Sequence, residues 1–259
     1  MRYLFPFLLL ASSLSSCKIV DLSNSTAKEE TTLQAKTILE QAQKAHGADK
    51  WAQVTHYTVQ FEDEFYGGLG GMINPFKGNP VSIQLDYVPK QFGGEMTFQQ
   101  EKMAGEVWGM KNGETYIQKA DGTQKVKPHK DAQFWIPTYQ YFIEFPARIL
   151  EANVFRMMGI EKMNGKTYDR VLATWNQVEP QKEMDQYVIW VEQETRLIGK
   201  VAYTIREANK FVSGYAMFED IKDFDGVKLP TRMPVGSNLV KEGKWLHEMR
   251  IKEVKLQIR

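Results

Sequence analysis

The chain of 259 residues is 42% hydrophobic and 25% charged, enough for a sizeable core in one large domain and unlike a disordered composition. Lys and Arg number 33 against 32 Asp and Glu, which lacks the cationic excess that a dominant nucleic-acid surface needs. The single cysteine, Cys17, excludes an intramolecular disulfide and a thiolate metal cluster.

Arg2, the apolar run from Leu4 to Ala11 and Leu14-Ser15-Ser16-Cys17 have the charged start, short apolar middle and small-residue exit of a secretory leader. The run is too short to be a transmembrane helix. The tetrapeptide ending in Cys17 resembles the bacterial lipobox. That resemblance implies residues 1–16 as a lipoprotein signal peptide, Cys17 as the lipid anchor, and a mature protein held to a membrane. Lys18 stands where an Asp marks inner-membrane retention in such lipoproteins, which leans towards the outer membrane. An uncleaved leader or an ordinary secreted protein is the alternative. Residues 17–31 are polar and small after the cysteine and are expected to be a lipidated, flexible tether, with one domain over 32–259.

A helix is expected from Thr31 or Thr32, with Leu33, Ile38, Leu39, Ala42 and Ala45 on one face and Gly47 ending it. A short turn carrying Trp51 follows. From Tyr57 the chain alternates: Tyr57, Val59, Phe61 and Phe65 face one side, Thr58, Gln60, Glu62 and Glu64 the other. The pleat turns Asp63 away from Glu62 and Glu64, so the three do not converge on a metal. Gly67-Gly68-Leu69-Gly70-Gly71 fits no phosphate-binding spacing and is expected to be a loop between strands.

Val81, Ile83, Leu85 and Tyr87 mark a second one-sided strand, and shorter ones follow around 96–98, 106–110 and 115–119. Asn112-Gly113, Asp121-Gly122 and Asn164-Gly165 punctuate the chain with residues suited to tight hairpin turns, which argues for antiparallel neighbours. Asn164-Gly165-Lys166-Thr167 has the ending of a phosphate loop, but Gly159 is misplaced and a strand follows. Between Gln133 and Met158 the pattern becomes helical, with Tyr139, Phe142, Ile143, Pro146 and Leu150 on one stripe and Tyr141 and Phe145 off it. Such a helix belongs inside a concavity or over its mouth, either as plain packing or as a lid, and Pro146 should kink or divide it.

The stretch from Asp185 to Glu207 reads as a hairpin whose first strand, Tyr187 to Val191, is apolar on both faces and therefore central. In the final strand the apolar positions are odd up to Ile251 and even from Val254. A bulge or bend near Lys252 would restore register. His46, His56, His129 and His247 show no metal-binding spacing, and no nucleophile elbow is present. No catalytic residue, metal or cofactor is assigned. Asp185, Arg206 and Glu207 are the first candidates for an acid/base pair, with strand-edge ion pairing as the plainer reading.

The lipobox, the N-terminal helix, the antiparallel run, the stretch Tyr187 to Glu207 and Asp225-Gly226-Val227-Lys228-Leu229-Pro230 before a long last strand together resemble the LolA/LolB-like outer-membrane lipoprotein-sorting superfamily. Its lipid-anchored bacterial members are the closest in layout. The resemblance implies a mainly β fold: a strongly curved, unclosed antiparallel half-barrel of about ten strands, with helices covering or filling its concave face. It implies a lipid-anchored envelope protein that binds an acyl chain, lipid or lipoprotein. Phe61, Phe65, Leu85 and Tyr87 from the early strands, Trp108 and Phe142 from the middle of the chain, and Trp190 and Tyr203 from the hairpin would line the cavity. The alternatives from other classes are an adaptor lipoprotein holding an envelope protein partner and, last, an enzyme.

Overall fold

A computed structural model of the chain describes residues 19–23, 32–207, 209–241 and 243–259. The expected leader, Cys17 and most of the expected tether lie outside the described residues. In chain order the strands are β1 (Val54–Phe65), β2 (Val81–Tyr87), β3 (Gly94–Phe98), β4 (Val107–Lys111), β5 (Glu114–Gln118), β6 (Gln124–Val126) and β7 (Val154–Met163). Then come β8 (Lys166–Thr174), β9 (Tyr187–Glu192), β10 (Ile198–Ile205), β11 (Asn209–Met217), β12 (Glu219–Phe224), β13 (Val227–Ser237) and β14 (His247–Ile258).

All fourteen belong to one antiparallel sheet, ordered β6-β5-β4-β3-β2-β1-β14-β13-β11-β10-β9-β8-β7, with β12 beside the first half of β13. The path ends at β6 and β7 and does not close on itself. The half-barrel is thus as expected, but with fourteen strands instead of about ten. The additions are β6, with three exposed residues, β12, which is mostly charged, and β7, whose first five residues lie in the stretch expected to be helix.

The hairpins follow from their turn residues. Asn112-Gly113, Asn164-Gly165 and Asp225-Gly226 each have two consecutive positive φ angles, the geometry whose twist matches paired strands. In β14 the partner of Gln60 is Glu253 and that of Phe61 is Ile251, so Lys252 is an extra residue. This is the bulge required by the switch of apolar positions, and it keeps Met249 and Ile251 in the core.

One face of the sheet carries the main core. On it lie α1 (Thr32–Ala45), α2 (Ala48–Trp51) and α4 (Lys130–Arg148). Helix α1 buries Ala35, Ile38, Leu39 and Ala42 and leaves Leu33 exposed. Helix α4 buries Trp135, Ile136, Tyr139, Phe142, Ile143 and Phe145. Pro146 does not divide it, because it stands in the last turn, where a single 3-10 turn (Ile149–Glu151) completes the segment. From Val154 onwards the chain is strand, since Phe155 and Met157 alternate into the core. Residues 67–71 are not a loop either: they begin α3 (Gly67–Ile73), where a Cβ on Gly70 would stand 2.3 Å from the Leu246 carbonyl oxygen.

Candidate functional site

In β1 every second residue from Tyr57 to Phe65 is buried, so the inward set is Tyr57, Val59, Phe61, Asp63 and Phe65. Leu85 and Tyr87 of β2, Trp108 of β4, Phe142 of α4 and Tyr203 of β10 join Phe61 and Phe65 in the same core. The Phe142 and Tyr203 rings meet edge to face at 5.2 Å, and Phe61 and Tyr139 lie 4.7 Å apart. Phe65, Phe76, Phe98, Trp108 and Trp135 form a second aromatic group under the first half of α4.

Trp190 is a correction. It projects from β9 with Val188, opposite Ile189 and Val191, and packs with Met158, Tyr168 and Leu172 in a separate cluster on the outer face. The Lys200 ammonium stands 4.6 Å from its ring centroid. That β9 is apolar on both sides was legible; which side faces inward was set by the core.

Two buried carboxylates hold α4 against the sheet. Asp63, fully buried, accepts hydrogen bonds from the Tyr139 hydroxyl at 2.7 Å and from His247 Nδ1 at 2.9 Å. His247 is stacked on Phe65 and edge-on to Trp135. Glu144, also fully buried, accepts from Tyr57 Oη at 2.8 Å, Gln140 Nε2 at 2.8 Å and the Lys90 backbone N–H at 2.9 Å, with Arg148 Nη1 at 3.5 Å. Burial pushes the Glu144 carboxyl above its ordinary range, against the pull of these donors. Burial, reinforced by the neighbouring carboxylates, holds the Tyr57 and Tyr139 phenols well above theirs. Tyr87 Oη donates to the Ile136 carbonyl, a third contact between sheet and helix.

Glu144 and the buried hydrogen bonds of Asp63 were not read from the sequence, although one signal existed. The pleat that carries Phe61 and Phe65 inward carries Asp63 with them, and a carboxylate there needs donors from whatever covers the face. Glu62 and Glu64 on the outer face are paired with Arg250 at 3.1 and 2.9 Å. Among the described residues no group of three His, Cys, Asp or Glu is placed to hold a metal ion.

Of the acid/base candidates, Asp185 and Arg206 serve as fasteners and Glu207 is exposed. Asp185 accepts from Thr204 Oγ1 and the Arg206 backbone N–H, both at 2.8 Å, and burial raises its carboxyl. The Arg206 guanidinium donates to the carbonyls of Lys210 and Val20. The segment 19–23 is docked there: Val20 N–H donates to Lys210, and Leu22 N–H to Gln186.

With α4 in place the inward side chains of the sheet are buried in a packed core. A small pocket bordered by Trp51, Ile143 and Leu229 holds about 10 Å³, room for one water at most. A wider groove of about 490 Å³ lies outside, between α1 and the β8 side, bordered by Leu33, Thr37, Ile38, Asp169 and Arg196.

No family model and no curated protein matches the sequence. Solved structures do match in fold. An outer-membrane lipoprotein-sorting protein domain from Vibrio parahaemolyticus aligns with a TM-score of 0.53 at 14% identity, over 86% of this chain and 93% of that one. A DUF1329-family protein from Desulfovibrio piger gives 0.52 at 12% identity, over 86% and 92%. A LolA-superfamily protein from Nitrosomonas europaea gives 0.50 at 11% identity, over 86% and 93%. The curved open sheet with helices laid on its inner face is therefore a fold this chain shares with these three solved proteins, one of them of the LolA superfamily.

Proposed function

We propose that this protein is a lipid-anchored bacterial envelope protein that takes up a hydrophobic ligand, an acyl chain or a lipid, between α4 and the concave sheet. The observation that carries this reading is the nature of the α4 contact. A helix with six large apolar side chains lies on an aromatic surface, and its polar contacts with the sheet include two buried carboxylates, Asp63 and Glu144. The likeness in fold to a lipoprotein-sorting domain supports it.

Magnitudes make the exchange feasible. Withdrawing six large side chains costs about 9–18 kcal/mol, while burying an acyl chain of about 14 methylenes returns about 11 kcal/mol. The apolar terms nearly cancel, so the hydrogen bonds to Asp63 and Glu144, about 1.5–3 kcal/mol each, decide whether α4 or ligand occupies the face. Binding is expected to be saturable for a fluorescent fatty acid titrated into the purified full chain. Glu144→Gln, which keeps the shape and weakens the contact, should bind it about three- to tenfold more tightly by raising the population with α4 displaced. Absence of saturable uptake in both proteins, together with a lipid extract empty of acyl chains, would reject the reading.

A further inference from the structure

The strands end in two sets of loops, and at one end three neighbouring connections share a character. Helix α3 follows β1, residues 238–246 join β13 to β14, and the turn from Arg206 leads into β11. Gly70 of α3 packs on the Leu246 carbonyl, and Asn238 Nδ2 donates to the Phe211 carbonyl, so the three connections are contiguous. They present Met72, 81% exposed, and Leu239, 56% exposed, beside the partly exposed Ile73 and Phe211. Lys210, Lys241 and Lys244 stand in or beside the same connections, Lys241 and Lys244 exposed. A second observation comes from the N-terminal segment. Val20 is hydrogen-bonded to Lys210 and Arg206 at this very end, and Leu22 is packed into the outer cluster. Only Lys18 lies between Ile19 and Cys17 in the sequence, so Cys17 is within about 7 Å of Ile19.

We propose that this end of the sheet lies on a phospholipid bilayer, with Met72, Phe211 and Leu239 entering the headgroup and acyl boundary. The inference rests on the lipid-anchor reading of Cys17. Exposed apolar side chains with lysines in the neighbouring connections suit an interface that is apolar below and anionic above. Because residues 19–23 are fastened to the domain, an acylated Cys17 would hold this rim at the bilayer.

Thiol protection tests it in the full chain, where an acylated Cys17 leaves an introduced cysteine as the reactive thiol. Leu239→Cys and Ile160→Cys, the latter on exposed β7, are made separately and membranes are treated with a water-soluble maleimide. Leu239→Cys should react about tenfold more slowly than Ile160→Cys and match it once detergent dissolves the bilayer. Equal reactivity in intact membranes overturns the rim while the anchor stands. Protection that persists in mild detergent overturns it in favour of a protein partner. A chain that fractionates as soluble, with Cys17 itself reactive, overturns the anchor and the rim together.

Discussion

His46 shows how a single residue is tied to the architecture around it. At the end of α1 it is 3% exposed, its Nδ1 donating to the Lys228 carbonyl at 2.7 Å and its Nε2 accepting from the Ile198 N–H at 3.0 Å. Both nitrogens are committed in the neutral ring, and burial lowers its pKa to about 4. The folded value lies below the unfolded one, so acidification protonates the unfolded chain first. Above about pH 6.5 the group leaves stability unchanged; between pH 6.5 and 4 it removes up to about 3 kcal/mol. Glu144, raised by burial, acts in the opposite sense by taking its proton first in the folded state. Urea titrations at pH 8 and 4.5 on the protein and on His46→Gln should isolate the histidine. The variant is expected to be weaker at pH 8 and to lose about 2–3 kcal/mol less on acidification. An equal loss in both proteins would contradict this assignment.

At the scale of elements, the curl of the sheet is marked by pairs that alternation cannot reveal. Tyr87 lies opposite Gly94, Tyr116 opposite Gly109, Tyr203 opposite Gly214 and Tyr215 opposite Gly236. In each pair the tyrosine ring lies across the glycine, so that a Cβ would come within 2.0–2.8 Å of a ring atom. A glycine covered by a cross-strand aromatic lets neighbouring strands bend while the surface stays packed. Gly109→Ala, whose Cβ would meet Tyr116 at 2.0 Å, is expected to cost about 1–3 kcal/mol in urea denaturation. Most of that loss should vanish in the background of Tyr116→Ala, and additive losses would contradict the pairing. Here lies the limit of what the sequence showed. Long alternating strands such as β1, β2 and β14, the Asn-Gly hairpins and the Lys252 bulge were legible because each is a local pattern. The short strands β6 and β12 lack such a pattern, and β7 follows an apolar helix with only two residues left between them after the 3-10 turn. The pleat separates Asp63 from Glu62 and Glu64, and the resemblance makes Trp190 a lining residue, but neither says which face is covered, and that decides where each points.

For the whole molecule, the fold offers one large apolar surface covered by α1, α2 and α4, of which α4 is the longest. Seven of the eight residues expected to line a cavity are in the main core, six on the sheet's inner face and Phe142 on α4, where they pack against α4 and α1. A cavity that exists only when α4 leaves is consistent with near-cancelling apolar terms and with two buried carboxylates at the contact. Docking of residues 19–23 beside Lys210 shortens the expected tether, so an anchored domain would stand at the bilayer and meet its ligand there. Amide hydrogen exchange of the full chain, with and without a saturating long-chain fatty acid, examines the exchange of helix for ligand most directly. The amides of Lys130 to Arg148 should lose protection on ligand addition while those of β1, β2 and β10 keep theirs. Unchanged protection across α4 in the presence of bound fatty acid would contradict the account.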